Sequence, residues 1–170
     1  YSDDFRSAER TFELLTQAAG RAGRGEVPGE VVIQTYQPEH YSIKTAKDQD
    51  YEAFYRQEIE YRKMMLYPPV FHLLVILCAS KWEQRASDGA DELLHEIDGI
   101  QELKKKIFPI GPADPAIARI NDIYRKVIYL KAEDYQNLVF VKDRLEKFVR
   151  DNTDYKDIVV QFDFNPVNGF

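Results

Sequence analysis

Two runs of almost unbroken apolar residues, 70–79 and 127–130, constrain this chain more than any other feature of it. A strand with one wet face alternates polar and apolar residues, whereas continuous apolar character requires burial on both faces. Both runs therefore belong inside a sheet, with neighbours on either side. Helical spacing over 83–101 puts Ala86, Ala90, Leu93, Ile97 and Ile100 on one face, and 107–110 makes a short strand that contains Pro109. Residues 122–131 form a longer strand. Asp134 caps a helix whose face is Leu138, Val141, Leu145 and Phe148, and 158–164 alternates as a last strand. The order is β-α-β-β-α-β, a ferredoxin-like arrangement of class α+β. In that arrangement the first and third strands are central, and these are the two continuous runs. The second strand lies at an edge, where the missing N–H of Pro109 is tolerated.

Upstream of Tyr67, Pro68 and Pro69 the pattern changes. Asp3 and Asp4 can cap a helix on which Ala8, Phe12, Leu15 and Ala19 recur at helical spacing, and Gly23, Gly25, Pro28 and Gly29 end it. Residues 30–36 read as a strand closed by Pro38. A second helix over 49–66 carries two apolar stripes, Tyr51, Tyr55, Ile59 and Leu66 on one and Phe54, Tyr61 and Met65 on the other. Two stripes fit a helix that bridges two neighbours. The expected division is 1–47, a bridging helix over 48–66, and the ferredoxin-like unit over 67–170.

Composition narrows the function. The 170 residues are 44% hydrophobic and 31% charged, with net charge −6. A free-standing nucleic-acid binder usually carries the opposite sign, so any DNA contact needs a local basic surface. The single cysteine, Cys78, excludes a disulfide framework and a cysteine-based metal site, and no pair among His40, His72 and His95 has metal spacing. No metal is expected on this chain. Residues 73–79 are too short to span a bilayer, and no signal peptide opens a chain that starts at Tyr1. It reads as a cytoplasmic, non-membrane segment of a longer protein.

The chemistry sits in residues 17–24. Gln17, Arg21 and Arg24 are spaced i, i+4, i+7, so on a continuous helix all three project from one face. The arginine fork is planar, always charged and rich in donors, which suits a phosphate in transit. Gly20, Ala22 and Gly23 remove bulk between the arginines, so that a nucleotide and a second surface can approach. Arginines also simply solvate helix ends. It is the whole pattern, Gln-x-x-Gly-Arg-Ala-Gly-Arg, that resembles motif VI of superfamily 2 helicases.

Further stretches look like the primosomal replication-restart branch of those helicases. They include 4–6, 8–12 and 14–17, then Pro28 to Val31, 33–36 and 38–41, and later 51–55, 67–69, Gly111 with Pro112, Tyr124 with Arg125, and 163–166. The likeness covers essentially the whole chain, as a remnant of an α/β, RecA-like helicase lobe 2 followed by the C-terminal domain. It implies ATP-coupled 3′→5′ unwinding in replication restart and primosome assembly, in a bacterial, nucleoid-associated protein. It also implies binding to forked or single-stranded DNA, to single-strand DNA-binding protein and to primosome proteins. By the resemblance Arg24 is the arginine finger, Arg21 a second γ-phosphate contact, and Gln17 a link between nucleotide and DNA. ATP and Mg²⁺ would act in the parent protein, whose Walker A lysine, Asp-Glu-x-His box and zinc-binding cysteines lie upstream. The segment by itself is then expected to be inactive and to bind no zinc.

In the C-terminal unit, Arg119, Tyr124, Arg125, Lys126, Tyr129 and Lys131, with Lys104, Lys105 and Lys106, interleave basic groups and tyrosines. That composition suits phosphate attraction and base stacking, and equally the wet face of a strand. The same strand order occurs in RNA-recognition domains, but residues 123–126 lack the glycine of their signature. Trp82, at a helix start, reads as a packing residue, and Asn165 beside Pro166 as a strand-ending turn. Two other readings stay open: a pure binding module, and a domain that only braces the helicase lobe.

Overall fold

The computed structural model describes residues 5–22 and 29–166. Asp3, Asp4, Gly23, Arg24, Gly25 and Pro28 lie outside the described residues. The chain divides into two compact units, 1–65 and 66–170.

The N-terminal unit contains α1 (Ser7–Ala22), α2 (Tyr41–Lys47) and α3 (Tyr51–Met64). The apolar face of α1 meets α2 and α3 around Phe12, Ala46 and Phe54, with Ala8, Leu15 and Tyr41 packed against them. The Phe12 and Phe54 rings stack with centroids 4.4 Å apart. Asp50 caps α3 by accepting from the Ala53 N–H at 2.9 Å, and His40 caps α2 through Nδ1, which accepts from the Ser42 N–H. On α3 only Phe54 of the two expected stripes is buried; its other buried residues are Glu58 and Arg62. The strand expected over 30–36 does not form, and Val32 and Tyr36 are exposed. A strand exists only through a neighbour's ladder. Among the described residues every strand pairing lies within 72–164, so nothing is at hand to pair with it.

The C-terminal unit runs β1 (His72–Ser80), α4 (Glu83–Asp98), β2 (Ile107–Ala113), β3 (Arg119–Ile120), β4 (Ile123–Ala132), α5 (Tyr135–Asp151) and β5 (Val159–Phe164). The sheet order is β2-β4-β1-β5, every pairing is antiparallel, and β3 adds a two-residue hairpin to the start of β4. This is the ferredoxin-like α+β fold, with the two continuous apolar strands at its centre and the proline-bearing β2 at an edge. Ile76 pairs with Ile128 in the middle of the sheet. α4 and α5 cover one face, burying Leu74, Ile76, Ile128 and Leu130 against Ala90, Leu93, Leu138, Val141 and Leu145. The other face holds a smaller cluster of Leu73, Val75, Leu77 and Val127, with Tyr129 against it. Burial on both faces is what the continuous runs required.

Two local features shape the sheet. Gly111 has φ +108°, and a Cβ there would sit 2.8 Å from the Val127 carbonyl oxygen; the register of β2 against β4 shifts between Ile110 and Ala113. Only glycine fits that bulge. Asn165, at φ 47°, turns the chain after β5: its Oδ1 accepts from the Leu73 N–H at 2.8 Å and its own N–H donates to the Leu73 carbonyl at 2.7 Å. Trp82 departs from expectation. It precedes α4 with 58% of its surface exposed, so it is no packing residue. Cys78 is fully buried, and burial pushes its thiol pKa up to about 12, which leaves it inert. Among the described residues no helix is long and apolar enough to cross a membrane.

Candidate functional site

The first candidate surface is carried by α1. Its helix continues through Gly20 to Ala22, and Gln17 and Arg21 are both exposed. At about 100° per residue these two lie roughly 140° and 180° around the helix from Phe12, so the stripe that packs inward turns them outward. A Cβ placed on Gly20 would meet nothing within 4 Å, which leaves bare backbone beside Arg21. Arg24, the third member of the motif, is outside the described residues.

Beside the packing of Phe12, a charge network centred on the buried Arg62 and Glu58 ties α1 to α3, and spacing alone does not reveal it. Arg62 donates from Nε to Glu58 Oε1 at 2.6 Å and from a terminal nitrogen to Glu9 Oε2 at 2.9 Å. Glu58 also accepts from the Tyr41 hydroxyl at 2.6 Å. Burial works against the Arg62 charge, but the hydrogen bonds from Glu58 and Glu9 outweigh it and hold its pKa above the ordinary value. Burial, then the bond to Glu58, pushes the Tyr41 hydroxyl far above its usual range and keeps it a donor. The i, i+4 spacing of Glu58 and Arg62 is a visible signal in the sequence. The partnership with Glu9, 53 residues away, is not.

The second candidate surface is the β3–β4 hairpin. Asn121 and Asp122 both have positive φ, forming the tight turn that brings Arg119 opposite Tyr124. The Arg119 guanidinium lies 4.8 Å from the Tyr124 ring centroid and bonds Asp122 at 2.5 Å. Arg125 donates to the Ile117 carbonyl at 3.1 Å, and Lys126 pairs with Asp114 at 2.6 Å. These bonds fold the segment 114–122 over the start of β4. Strand alternation puts Tyr124 and Lys126 on the face shared with Ile128, and Arg125, Tyr129 and Lys131 on the other.

Lys131 does not join the hairpin. Seven residues along the strand, roughly 20 Å away, it is buried with its ammonium 3.9 Å from the Tyr67 ring centroid, and burial lowers its pKa. Lys104, Lys105 and Lys106 are exposed in the turn before β2. His72 stacks edge-on with Tyr135 and His95 lies exposed in the last turn of α4. Among the described residues no group of three or more metal-ligating side chains occurs.

Comparison with known proteins places these surfaces in a family context. The family model described as the primosomal protein N C-terminal domain matches residues 63–167. The replication restart protein PriA of Bacillus subtilis is 40% identical over 164 residues, 96% of this chain and 20% of that protein. The PriA of Synechocystis is 36% identical over 157 residues, 92% of this chain and 18% of that one. For Treponema pallidum PriA the figures are 33% over 168 residues, 99% and 25%. The chain thus spans a quarter or less of the length of these curated relatives.

Proposed function

Because the chain belongs to the primosomal protein N C-terminal domain family, we propose that it works as the C-terminal part of an ATP-dependent 3′→5′ DNA helicase for replication restart and primosome assembly. Residues 1–47 supply the end of a helicase lobe with motif VI, 48–66 connect, and 67–170 contact DNA and partner proteins. The observation that carries this reading is the outward face of α1, where Gln17 and Arg21 stand one turn apart beside the bare Gly20. There Arg21 and Arg24 would grip the γ-phosphate of ATP bound with Mg²⁺ on another lobe, and stabilise the charge that develops as the bond breaks. Gln17 would link that site to DNA.

In the C-terminal unit Arg119, Tyr124, Arg125 and Lys126 would meet forked or single-stranded DNA, by phosphate attraction and by stacking on Tyr124. Single-strand DNA-binding protein and primosome proteins are the further partners in this reading. Lys131 lies apart from that patch and packs against Tyr67. Zinc belongs to segments of such a helicase outside this chain, and the setting is the bacterial cytoplasm and nucleoid.

The test is ATP turnover. A full-length protein carrying Arg24→Ala should lose about 10³–10⁵-fold in kcat. The 170-residue chain alone, which has no phosphate-binding Gly-x-x-x-x-Gly-Lys loop, should show no turnover. Turnover by the chain that vanishes with Arg24→Ala would overturn this reading. A second reading, a binding module without catalytic duty, is favoured by the self-contained sheet and core of the C-terminal unit. Steeply salt-dependent fork binding by residues 66–170, together with unchanged turnover in the Arg24→Ala protein, would select it.

A further inference from the structure

We propose that Arg62 is a positioning residue for ATP hydrolysis: by holding Glu9 it fixes the direction in which α1 carries Gln17 and Arg21. This rests on the reading of α1 as the γ-phosphate-sensing helix. Arg62 and Glu58 are 8% and 5% exposed, so the fork between them is shielded from water, while the Glu9 side chain is 42% exposed. One guanidinium serves both carboxylates, and Glu58 in turn holds the Tyr41 hydroxyl. The Arg62 guanidinium also lies 5.3 Å from the Phe5 ring centroid, just ahead of α1. All three helices of the unit therefore meet in one hydrogen-bonded network centred on Arg62, α2 joining it through Tyr41 and Glu58. Only a planar fork with several donors can do this; a lysine ammonium reaches one carboxylate well and the other poorly.

Leverage makes the position matter. Glu9 sits in the first turn of α1 and Arg21 in its last. The apolar pivot between them is Phe12, stacked on Phe54. From Phe12 to Arg21 is nine residues, about 14 Å along the axis. Releasing Glu9 leaves the pivot but removes the tie on the other arm. A tilt of roughly 10° about Phe12 then moves Arg21 by about 2 Å, and a misplacement of about 1 Å already costs on the order of 100-fold in rate.

The experiment uses the full-length protein with saturating forked DNA. kcat and KM for ATP are measured for Arg62→Lys, Arg62→Gln, Glu9→Gln and Arg21→Ala, and for each of the first three combined with Arg21→Ala. Thermal unfolding is followed in parallel. Each single substitution at Arg62 or Glu9 should lower kcat about 10- to 100-fold with KM within about threefold, and Arg62→Lys should fail to restore it. In the Arg21→Ala background the same substitutions should add less than about threefold, because they act through Arg21. Full multiplicative losses in that background would mean that Arg62 only braces the fold, and would overturn the proposal. Should Arg62→Gln fail to fold, Glu9→Gln decides, since it spares the Glu58–Arg62 pair; normal kcat in folded Glu9→Gln overturns it. If Arg21→Ala is strongly impaired while the Arg62 and Glu9 variants keep wild-type kcat, the clamp alone fails. Turnover in Arg21→Ala as fast as in the wild type sinks both the clamp and the reading of α1.

Discussion

In the C-terminal unit every strand finds its neighbour within the unit, and α4 and α5 seal one sheet face with side chains that are fully buried. The N-terminal unit is built otherwise. Its apolar core is Phe12, Ala46 and Phe54 with a few partly buried neighbours, and beside it stands a buried cation shared by two carboxylates. Desolvating such a group costs as much as the pairing returns, so the network specifies an arrangement more than it stabilises one. The apolar residues of 30–36 meanwhile pair with no strand among the described residues. One unit closes its strands among themselves, and the other leaves 30–36 without a ladder and holds Gln17 and Arg21 on an exposed helix face.

That contrast can be broken most forcefully through function. In the full-length protein Arg24→Ala should abolish most turnover, by about 10³–10⁵-fold, and leave fork affinity unchanged. Joint Arg119→Ala and Tyr124→Ala should weaken fork binding, by about 1–3 kcal/mol for the lost stack, and leave turnover at saturating DNA unchanged. If either variant damages both properties equally, the division of labour is wrong.

Stability sharpens it next. Phe12→Ala should cost about 3–5 kcal/mol and Leu130→Ala about 2–5 kcal/mol. In the smaller unit such a loss should melt α1 to α3 outright. In the larger it should lower the unfolding midpoint of a sheet that remains folded. Residue-resolved hydrogen exchange of the two variants distinguishes these outcomes.

Acid acts on one lock of the C-terminal unit. Hydrogen bonds from Arg85, at 2.9 and 3.0 Å, hold the Asp157 carboxyl below the usual aspartate range. A depressed folded-state pKa contributes stability above the unfolded value and loses it as pH falls through the folded one. Asp157→Asn should therefore be less stable than wild type at neutral pH, with the gap closing on acidification below about pH 4. A gap that stays constant with pH would remove the ion pair from the account. Smallest, the caps Asp50 and Asp134 serve one helix in each unit, and either changed to Ala should cost about 1 kcal/mol. Denaturant midpoints check whether the local effect is as similar as the local geometry.

Much of this was legible because it is local and periodic. The order of strands and helices after Tyr67 follows from apolar spacing, and the edge place of β2 from Pro109. The shared face of Gln17 and Arg21 follows from i, i+4 spacing on a helix. What failed needed tertiary knowledge. Val31, Val32 and Ile33 have strand propensity, but propensity cannot supply a neighbour. α2 is seven residues with a histidine cap, and its signal is too short to read. Trp82 looked like core and is exposed. The tie from Glu9 to Arg62 spans 53 residues and exists only once the helices have packed.

The central claim, a self-sufficient sheet unit joined to an N-terminal unit that is completed from outside, is tested most directly by amide hydrogen exchange over 30–36. It should be measured in the 170-residue chain and in the full-length protein under the same conditions. The account predicts exchange close to the unprotected rate in the chain and strong protection in the full-length protein, with β1 and β4 protected in both. Protection of 30–36 in the chain alone, or its absence in both, would contradict it.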